Sequence, residues 1–157
     1  MNLVRQLLAE YEIHPQKRLG QSFLQDMNMV RRIAALVDAD KDDTIVEIGA
    51  GLGLLTEELA KKAGRIIAIE IDPRLAAVLK DRLGADNKVV VVEGDVLNYD
   101  FSTPGSKGKI KVVGNIPYYI STPILFHLIK YRRMIESMVL MFQKELADRI
   151  MASPGGK

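Results

Sequence analysis

Cysteine and tryptophan are absent from this 157-residue chain, and histidine occurs only at His14 and His127. Without cysteine, disulfides and thiolate metal sites are excluded, and two histidines are too few for a histidine metal cluster. We therefore predict no metal site. No apolar run approaches the ~20 residues of a membrane-spanning helix, and the N-terminus lacks the apolar core of a signal peptide. These features predict a cytoplasmic protein with no membrane partner.

The chain has little excess of either charge, since its net charge at neutral pH is only +2. The apolar fraction of 48% and the charged fraction of 27% are typical of a globular protein, and the length predicts one domain. Basic residues nevertheless occur in adjacent pairs, at Lys17–Arg18, Arg31–Arg32 and Arg132–Arg133. Such pairs form an RNA-binding surface only if they converge in space.

Glycine, by contrast, is concentrated at one place. The β-branched run Thr44–Ile48 is followed by Gly49, Gly51 and Gly53, and then by a segment, Leu54–Ala63, with helical spacing of leucines. Strand, glycine turn and helix form the first half of a βαβ nucleotide-binding unit. Glycine permits positive φ and lets a ligand approach the backbone without a Cβ in the way. The pattern predicts a ligand-binding loop, although a plain tight turn is the alternative.

The glycine spacing selects among ligands. A dinucleotide fingerprint, G-x-G-x-x-G, requires glycine where Leu54 stands, and no P-loop sequence occurs. What remains is E-x-G-x-G-x-G, in which Glu47 precedes the first glycine by two residues. A carboxylate beside the loop suits a cationic or hydroxyl-rich ligand better than a pyrophosphate.

Two further acids follow the next two predicted strands. Glu70 lies near the end of strand Arg65–Ile71, nineteen residues after Gly51, where an acid can accept from both ribose hydroxyls. Asp95 follows strand Lys88–Val92 and can accept from an adenine amine. Three acids at three strand ends match S-adenosylmethionine, which carries an adenosine, a sulfonium and an ammonium but no phosphate.

The rest of the chain alternates helix and strand, which predicts a parallel sheet with its ligand at the carboxyl ends of the strands. Residues 14–21 are polar and basic and are interpreted as a mobile or ligand-covering arm. Ser121 or Thr122 is predicted to cap a helix that reaches Tyr131, with Pro123 at its start, and Met138–Met141 resembles a buried parallel strand. The other predicted segments are helices Asn2–Glu12, Asp26–Val37, Asp72–Leu83 and Gln143–Met151, strands Ile110–Val113 and Glu136–Phe142, and a polar surface loop, Asn98–Lys109.

A second candidate motif, Asn115-Ile116-Pro117-Tyr118, follows the fourth strand. The Asn115 amide offers an acceptor and a donor, Pro117 fixes the backbone, and Tyr118 offers a ring for stacking. With Asn115 and a carbonyl of Ile116 or Pro117 accepting from an exocyclic amine, the motif can hold a planar base. The alternative is a strand-to-helix turn with a packing tyrosine.

These motifs resemble those of the ribosomal RNA adenine N6-dimethyltransferases. The resemblance runs through Lys17–Leu24, Glu47–Gly53, Glu70–Asp72, Gly94–Asp95, Asn115–Tyr118 and Pro154–Lys157. It implies an α/β, Rossmann-like class I S-adenosylmethionine-dependent methyltransferase fold with helices on both faces of a parallel sheet. It also implies cofactor contacts at Ser22, Leu24, Gly49, Glu70, Asp95 and Asn115, to which the spacing adds Glu47 and Gly51, and catalytic roles for Asn115, Pro117 and Tyr118. The family often has Asn where this chain has Ser22.

The family implies ribosomal RNA as the partner. Residues 119–123 and the P-G-G-K ending are more similar to the branch that dimethylates two adjacent adenines of the small-subunit precursor than to the large-subunit branch that gives antibiotic resistance. Five of the family's seven strands are visible, and its last two strands and small helical domain are not. Residues 1–157 are therefore interpreted as a truncated catalytic domain that self-associates through an exposed strand-5 edge or is poorly active. A cofactor-binding assembly factor without turnover and, less favoured, a nucleotide-dependent oxidoreductase remain open.

Overall fold

A computed structural model describes residues 2–103 and 108–153. Helices and strands alternate along most of the chain, as predicted. The helices are α1 (Leu3–Glu10), α2 (Met27–Val37), α3 (Leu54–Ala60), α4 (Pro73–Leu83), α5 (Ser121–Lys130) and α6 (Lys144–Met151); the strands are β1 (Thr44–Ile48), β2 (Arg65–Glu70), β3 (Val89–Glu93), β4 (Ile110–Asn115) and β5 (Ile135–Met141). None of the described helices is long and apolar enough to cross a membrane.

The five strands form one parallel sheet in the order β3-β2-β1-β4-β5. The chain moves outward from β1 to β3 on one side and then returns to β4 and β5 on the other. β1 and β4 are therefore neighbours at the position where the strand order reverses. In sheets of this kind, ligands bind outside the carboxyl ends of the strands at that switch point.

Alternating side chains of the strands bury both faces of the sheet. On one face, Ile45 of β1 and Val113 of β4 pack with apolar residues of α1 to α4. On the other face, Val46 and Val112 pack with α5 and with Phe101. A parallel sheet covered on both faces is the α/β arrangement that the sequence predicts.

Local signals set the ends of two helices. Asp26 and Asp72 are N-caps whose carboxylates accept from the backbone N–H groups of Asn28 and Arg74. Pro73 occupies the first turn of α4, where its missing N–H costs nothing. These starts agree with the sequence prediction.

The predicted cap of α5 is wrong. Ser121 is already helical, the N-cap position is Ile120, and no side chain caps the helix. The Ser121 hydroxyl instead donates to the Pro117 carbonyl at 2.8 Å. The hydroxyl therefore ties the start of α5 to the preceding turn, which local sequence signals do not reveal.

The loop predicted at Asn98–Lys109 is only partly a surface segment. Phe101 is fully buried and stacks edge-on against Tyr99 and His127, with ring centroids 5.0 and 5.7 Å apart. Residues 104–107 and the P-G-G-K ending lie outside the described residues. Phe101 therefore anchors this mostly polar segment against one face of the sheet.

The expectation that Met138–Met141 is a buried run is also wrong. Met138 is 42% exposed, and the three residues after it are only partly buried. The cause is position, since β5 pairs with β4 on one side and is the outermost strand of the described sheet. The strand is thus the exposed edge that the strand count predicts.

Candidate active site

The glycine loop and the N-I-P-Y turn lie side by side on one rim of the sheet. Ile48, the last residue of β1, pairs with Gly114, so the loop that begins at Gly49 and the end of β4 leave the sheet together. A Cβ placed on Gly49 would lie 3.8 Å from the Asn115 carbonyl oxygen. The two motifs therefore share the switch point between β1 and β4.

The glycine loop needs its glycines for conformation and for space. Gly49 and Gly51 have φ of +70° and +59°, in the left-handed region that favours glycine. Gly53 has φ of +81°, and a Cβ there would lie 2.8 Å from Leu79 and 2.9 Å from Leu83 of α4. The loop therefore needs glycine for its turn, and at Gly53 it also needs glycine because the start of α3 lies close to α4.

Glu70 is fixed at the end of β2 by the backbone. Its carboxylate oxygens accept from the N–H of Gly51 at 2.8 Å and from the N–H of Asp72 at 2.9 Å. Burial raises the pKa of Glu70, and the two N–H groups act in the opposite direction. Each carboxylate oxygen can accept more than one hydrogen bond, so both remain able to accept from a ligand hydroxyl.

Glu47 is more deeply buried, with 2% of its surface exposed. Its carboxylate accepts from the Thr56 hydroxyl of α3 at 2.6 Å. Burial, with a smaller contribution from the nearby Glu70, raises the pKa of Glu47 to about 8, against the opposing effect of the Thr56 hydrogen bond. The uncharged acid is therefore favoured at neutral pH, and a cation placed beside it would favour ionisation.

Asp95 lies beyond the end of β3, beside an apolar hollow. Its carboxylate accepts from the Leu97 N–H at 2.9 Å and begins a short helical turn, Val96–Asn98. The hollow, of about 60 Å³, is lined by Ile71, Pro117 and Tyr119 as well as Asp95. Apolar walls with one acceptor suit a planar ring that carries an amine.

Residues 19–24 cross this rim; they overlap the arm predicted at residues 14–21 and are called the arm from here on. Ser22 and Leu24 line a cavity of about 50 Å³ with Glu47 and Gly49, and Ser22 also lines a second of about 80 Å³ beside Glu70. Ring carbons of Phe23 lie 3.4 Å from the position of a Cβ on Gly51. The arm is thus packed directly over the glycine loop.

The N-I-P-Y turn begins inside β4, since Asn115 is the last residue of that strand. The Asn115 side-chain NH2 donates to the Ser22 backbone carbonyl at 2.8 Å. The Pro117 carbonyl accepts from the Ser121 hydroxyl at 2.8 Å and from the Ile120 N–H at 3.2 Å. Tyr118 is 65% exposed, beside a cavity of about 190 Å³ that Asn115, Pro117 and Gln143 also line.

The four cavities along the rim share lining residues and have one electrostatic character. Gly49 lines three of them, and Asn115 lines three. Their charged lining residues in the described part of the chain are Glu47, Glu70 and Asp95, with no lysine or arginine among them. This set of donors and acceptors fits a cationic ligand with hydroxyls and an amine, and it disfavours a phosphate.

Sequence reasoning missed several residues of the rim. Thr56 holds Glu47 from α3, and Phe23 packs on the glycine loop. Gln143, the residue before α6, lines the cavity beside Tyr118. Only Phe23 had a usable signal, as the single aromatic residue of the arm. Thr56 contacts a residue nine positions away, on the other side of the glycine loop, and Gln143 shares its cavity with residues far away in sequence.

The basic pairs do not all lie at this rim. Arg132 and Arg133 come between α5 and the start of β5, so the topology places them at the amino ends of the strands, opposite the N-I-P-Y turn. Lys17–Arg18 belongs instead to a short helical turn, Lys17–Leu19, that leads directly into the arm. Arg18 is exposed. Lys17–Arg18 is therefore the basic pair nearest to the arm along the chain.

Comparison with known proteins identifies similar sequences along the whole chain. A family model described as ribosomal RNA adenine dimethylase matches residues 14–157. The chain is 51% identical to the ribosomal RNA small subunit methyltransferase A of Syntrophus aciditrophicus over all of its length, and 47% identical to that of Moorella thermoacetica over 96% of it. It spans 57% and 56% of those proteins, slightly more than half of their length.

Solved structures are similar in fold as well. A dimethyladenosine transferase from Plasmodium falciparum matches with a TM-score of 0.76 and 35% identity over 86% of this chain and 48% of that one. The 23S rRNA methyltransferase ErmE matches with a TM-score of 0.73 and 34% identity over 81% of this chain and 50% of that one. The fold is that of the class I S-adenosylmethionine-dependent methyltransferases.

Proposed function

Because the chain belongs to the ribosomal RNA adenine dimethylase family, we propose that it is the cofactor-binding catalytic part of a small-subunit rRNA methyltransferase. The proposed reaction is S-adenosylmethionine-dependent dimethylation of the N6 amine of two adjacent adenines near the 3′ end of small-subunit ribosomal RNA, in the cytoplasm during ribosome assembly. One observation carries this proposal: the glycine loop, at Gly49, and the N-I-P-Y turn, at Asn115, lie next to each other on one rim of the sheet.

The acids of the rim are assigned to the cofactor. Glu70 would accept from the ribose hydroxyls, because its two backbone contacts hold it in place. Asp95 would accept from the adenine amine beside the apolar hollow that it lines. The amino-acid part would be held by Glu47, Gly49, Gly51, Ser22 and Leu24, and a cation beside Glu47 would favour its ionised form. When bound, S-adenosylmethionine supplies an electrophilic methyl group.

The N-I-P-Y turn is assigned to the target base. Because Asn115 uses its NH2 group on Ser22, its side-chain oxygen is left to accept from the adenine amine. The second acceptor is the Ile116 carbonyl, since the Pro117 carbonyl already accepts two hydrogen bonds. Two acceptors on the amine direct its lone pair away from the ring. Pro117, with φ of −57°, fixes the direction of these groups.

Catalysis by this site is mainly positioning. Alignment of two reactants can supply roughly 7–11 kcal/mol of barrier reduction, and the proton of the amine can leave after attack, so no buried general base is required. Extruding the adenine costs a few kcal/mol, of which stacking on Tyr118 offsets ~1–3 kcal/mol. Arg18 is assigned to the RNA backbone, because it lies beside the arm and phosphate contacts provide most nonspecific affinity.

Methyl incorporation is the direct test. Radiolabelled S-adenosylmethionine is supplied with unmodified small or large ribosomal subunits, and we expect label only in the small-subunit RNA. Label in the large subunit instead would favour the activity named for ErmE. Cofactor binding without label in either would favour an assembly factor, and nicotinamide binding would favour an oxidoreductase.

We also propose that this chain self-associates through β5. The outer edge of β5 has no partner strand among the described residues, and Met138, Phe126 and Ile129 of this region are 42%, 62% and 41% exposed. Unpaired edges with apolar side chains promote association. Sedimentation should show a dimer that Met138→Lys converts to monomer, whereas Met151→Lys on α6, at an 85% exposed position, should not. A monomeric parent chain would refute this proposal.

A further inference from the structure

Two polar residues near the rim are not used by the proposed chemistry. Asp72 is the N-cap of α4 and is 2% exposed, and Gln21 lies in the arm. The Gln21 side-chain NH2 donates to the Asp72 carboxylate at 2.8 Å, across 51 positions of sequence. The Gln21 side-chain oxygen accepts from the Gln16 N–H at 2.7 Å. One amide therefore joins Gln16, which precedes the arm, to Asp72, two residues after β2. We call the contact between Gln21 and Asp72 the latch.

The hydrogen bond to Asp72 is charge-assisted. The Arg74 guanidinium, and then the Gln21 amide, lower the pKa of Asp72 to about 2, although burial opposes them. Asp72 is consequently ionised at neutral pH and is a strong acceptor. Asp72 is also adjacent in the chain to the cofactor site, because its own N–H donates to Glu70.

The arm on either side of the latch touches both halves of the site. Leu19 and Gly20 precede Gln21, and a Cβ on Gly20 would lie 2.9 Å from Pro117 and 3.0 Å from Tyr119. Ser22 follows, and its carbonyl accepts from Asn115 at 2.8 Å. Only the NH2 end of an amide can donate to a carbonyl, so this contact determines which way the Asn115 amide points.

We infer that Gln21 is a positioning residue for methyl transfer. By binding Asp72, it holds the arm closed over the cofactor cleft, and the closed arm presents the Ser22 carbonyl that orients the Asn115 amide toward the target amine. The inference rests on the proposed function for its catalytic consequence, but the latch itself is a property of the ligand-free chain. The inference predicts that the hydrogen bond between Gln21 and Asp72 affects both the affinity for the cofactor and the orientation of the Asn115 amide at the end of β4.

Gln21→Glu is the test variant. The substituted carboxylate still accepts from the Gln16 N–H, but it repels Asp72. A hydrogen bond to a charged acceptor is worth roughly ten- to hundredfold in an equilibrium. We therefore expect Gln21→Glu to weaken S-adenosylmethionine binding by that factor, to lower kcat as well as raise KM, and to speed amide exchange in residues 16–24.

The double variant Gln21→Glu with Asp72→Asn separates a latch from a general structural role. The amide introduced in place of the Asp72 carboxylate can donate to the carboxylate introduced in place of the Gln21 amide. Its oxygen still accepts from the backbone N–H and the Nε–H of Arg74, while the third Arg74 contact, to the oxygen that becomes NH2, is lost. The hydrogen bond between residues 21 and 72 is therefore restored with reversed polarity, and recovery is measured against Asp72→Asn alone. Cofactor affinity and slow exchange should both recover. Gln25→Glu is the matched control, because it adds the same charge near the arm at an exposed residue. Within residues 2–103 and 108–153, the Gln25 side-chain oxygen accepts only from Asn2.

The side-chain amide signals of Asn115 in an NMR spectrum provide a readout that simple destabilisation would not move. They should shift in Gln21→Glu, return in the double variant and stay unchanged in Gln25→Glu. The inference is overturned if Gln21→Glu binds the cofactor as tightly as the parent chain does. It is also overturned if adding Asp72→Asn to Gln21→Glu does not restore any of the lost cofactor affinity. If the parent chain binds no cofactor, the proposed function fails, and the exchange and Asn115 signals alone decide whether the latch exists.

Discussion

On the side of the rim that we assign to the cofactor, Glu47 and Glu70 are 2% and 5% exposed, and each already accepts a hydrogen bond or more from the protein. On the side that we assign to the target base, Tyr118 is 65% exposed. The acids of the cofactor half are therefore already held in place in the folded chain, whereas the target half is exposed to a partner. A small ligand can bind a prearranged cleft, whereas an RNA base has to be brought in with its surroundings.

The largest expected effect falls where the two halves meet. Asn115→Ala should reduce methyl transfer by roughly 100- to 1,000-fold, by analogy with the removal of one prearranged polar group from an active site. It should weaken cofactor binding less than Glu70→Ala does, because we assign the Asn115 side-chain oxygen to the target amine. Equal loss of cofactor affinity in both variants would contradict this division between the two halves.

A second substitution tests how far the cofactor half is held by the protein itself. Glu70→Ala removes the acceptor of two backbone N–H groups, at Gly51 and Asp72, and each unsatisfied donor costs about 1–3 kcal/mol. We expect a lower free energy of unfolding in denaturant titration, together with loss of cofactor binding. Glu70→Gln keeps an acceptor for one N–H and should be intermediate; if it matches alanine, the hydrogen bonds do not carry the effect.

The target half should respond in the opposite way. Tyr118→Ala removes an exposed ring, so the free energy of unfolding should change by no more than about 0.5 kcal/mol. Binding of the substrate RNA should weaken by ~1–3 kcal/mol through lost stacking, with cofactor affinity unchanged. Tyr118→Phe keeps the ring and is the control. A large fall in stability for Tyr118→Ala would show that this half is also structural.

The same contrast explains what could be predicted from sequence. The bounds of β1 and the start of α4 agree with the prediction, because a β-branched run and the Asp72-Pro73 pair act locally. The acids and the N-I-P-Y turn were placed on one rim because parallel strands end at the same edge. Their roles in binding stay predictions.

What sequence could not supply depends on contacts between distant residues. The Ser121 hydroxyl binds the Pro117 carbonyl rather than capping α5, and Phe101 anchors a polar segment by packing with His127. The contact between Gln21 and Asp72 joins two segments with no shared pattern. In each case the residue type was visible, but its partner became known only with the fold.

The last expected effect is a pH dependence, and it concerns the buried acid of the cofactor half. An unfolded Glu47 loses its proton near the ordinary value of 4.5, whereas burial raises its pKa in the folded chain to about 8. Between these values the folded state binds more protons, so this contribution to stability is complete below pH 4.5 and is lost as pH rises to about 8. One group changes the free energy of unfolding by at most about 1.4 kcal/mol per pH unit.

Glu47→Gln should remove that slope, since glutamine resembles the uncharged acid and still accepts from Thr56. Denaturant titrations of both proteins across this pH range would measure it. Cofactor affinity should rise with pH in the parent chain, because a cation favours the ionised acid, and should be flat in the variant. If parent and variant share one pH profile, Glu47 is ionised in the folded chain, and the cofactor half is more accessible to water than its burial implies.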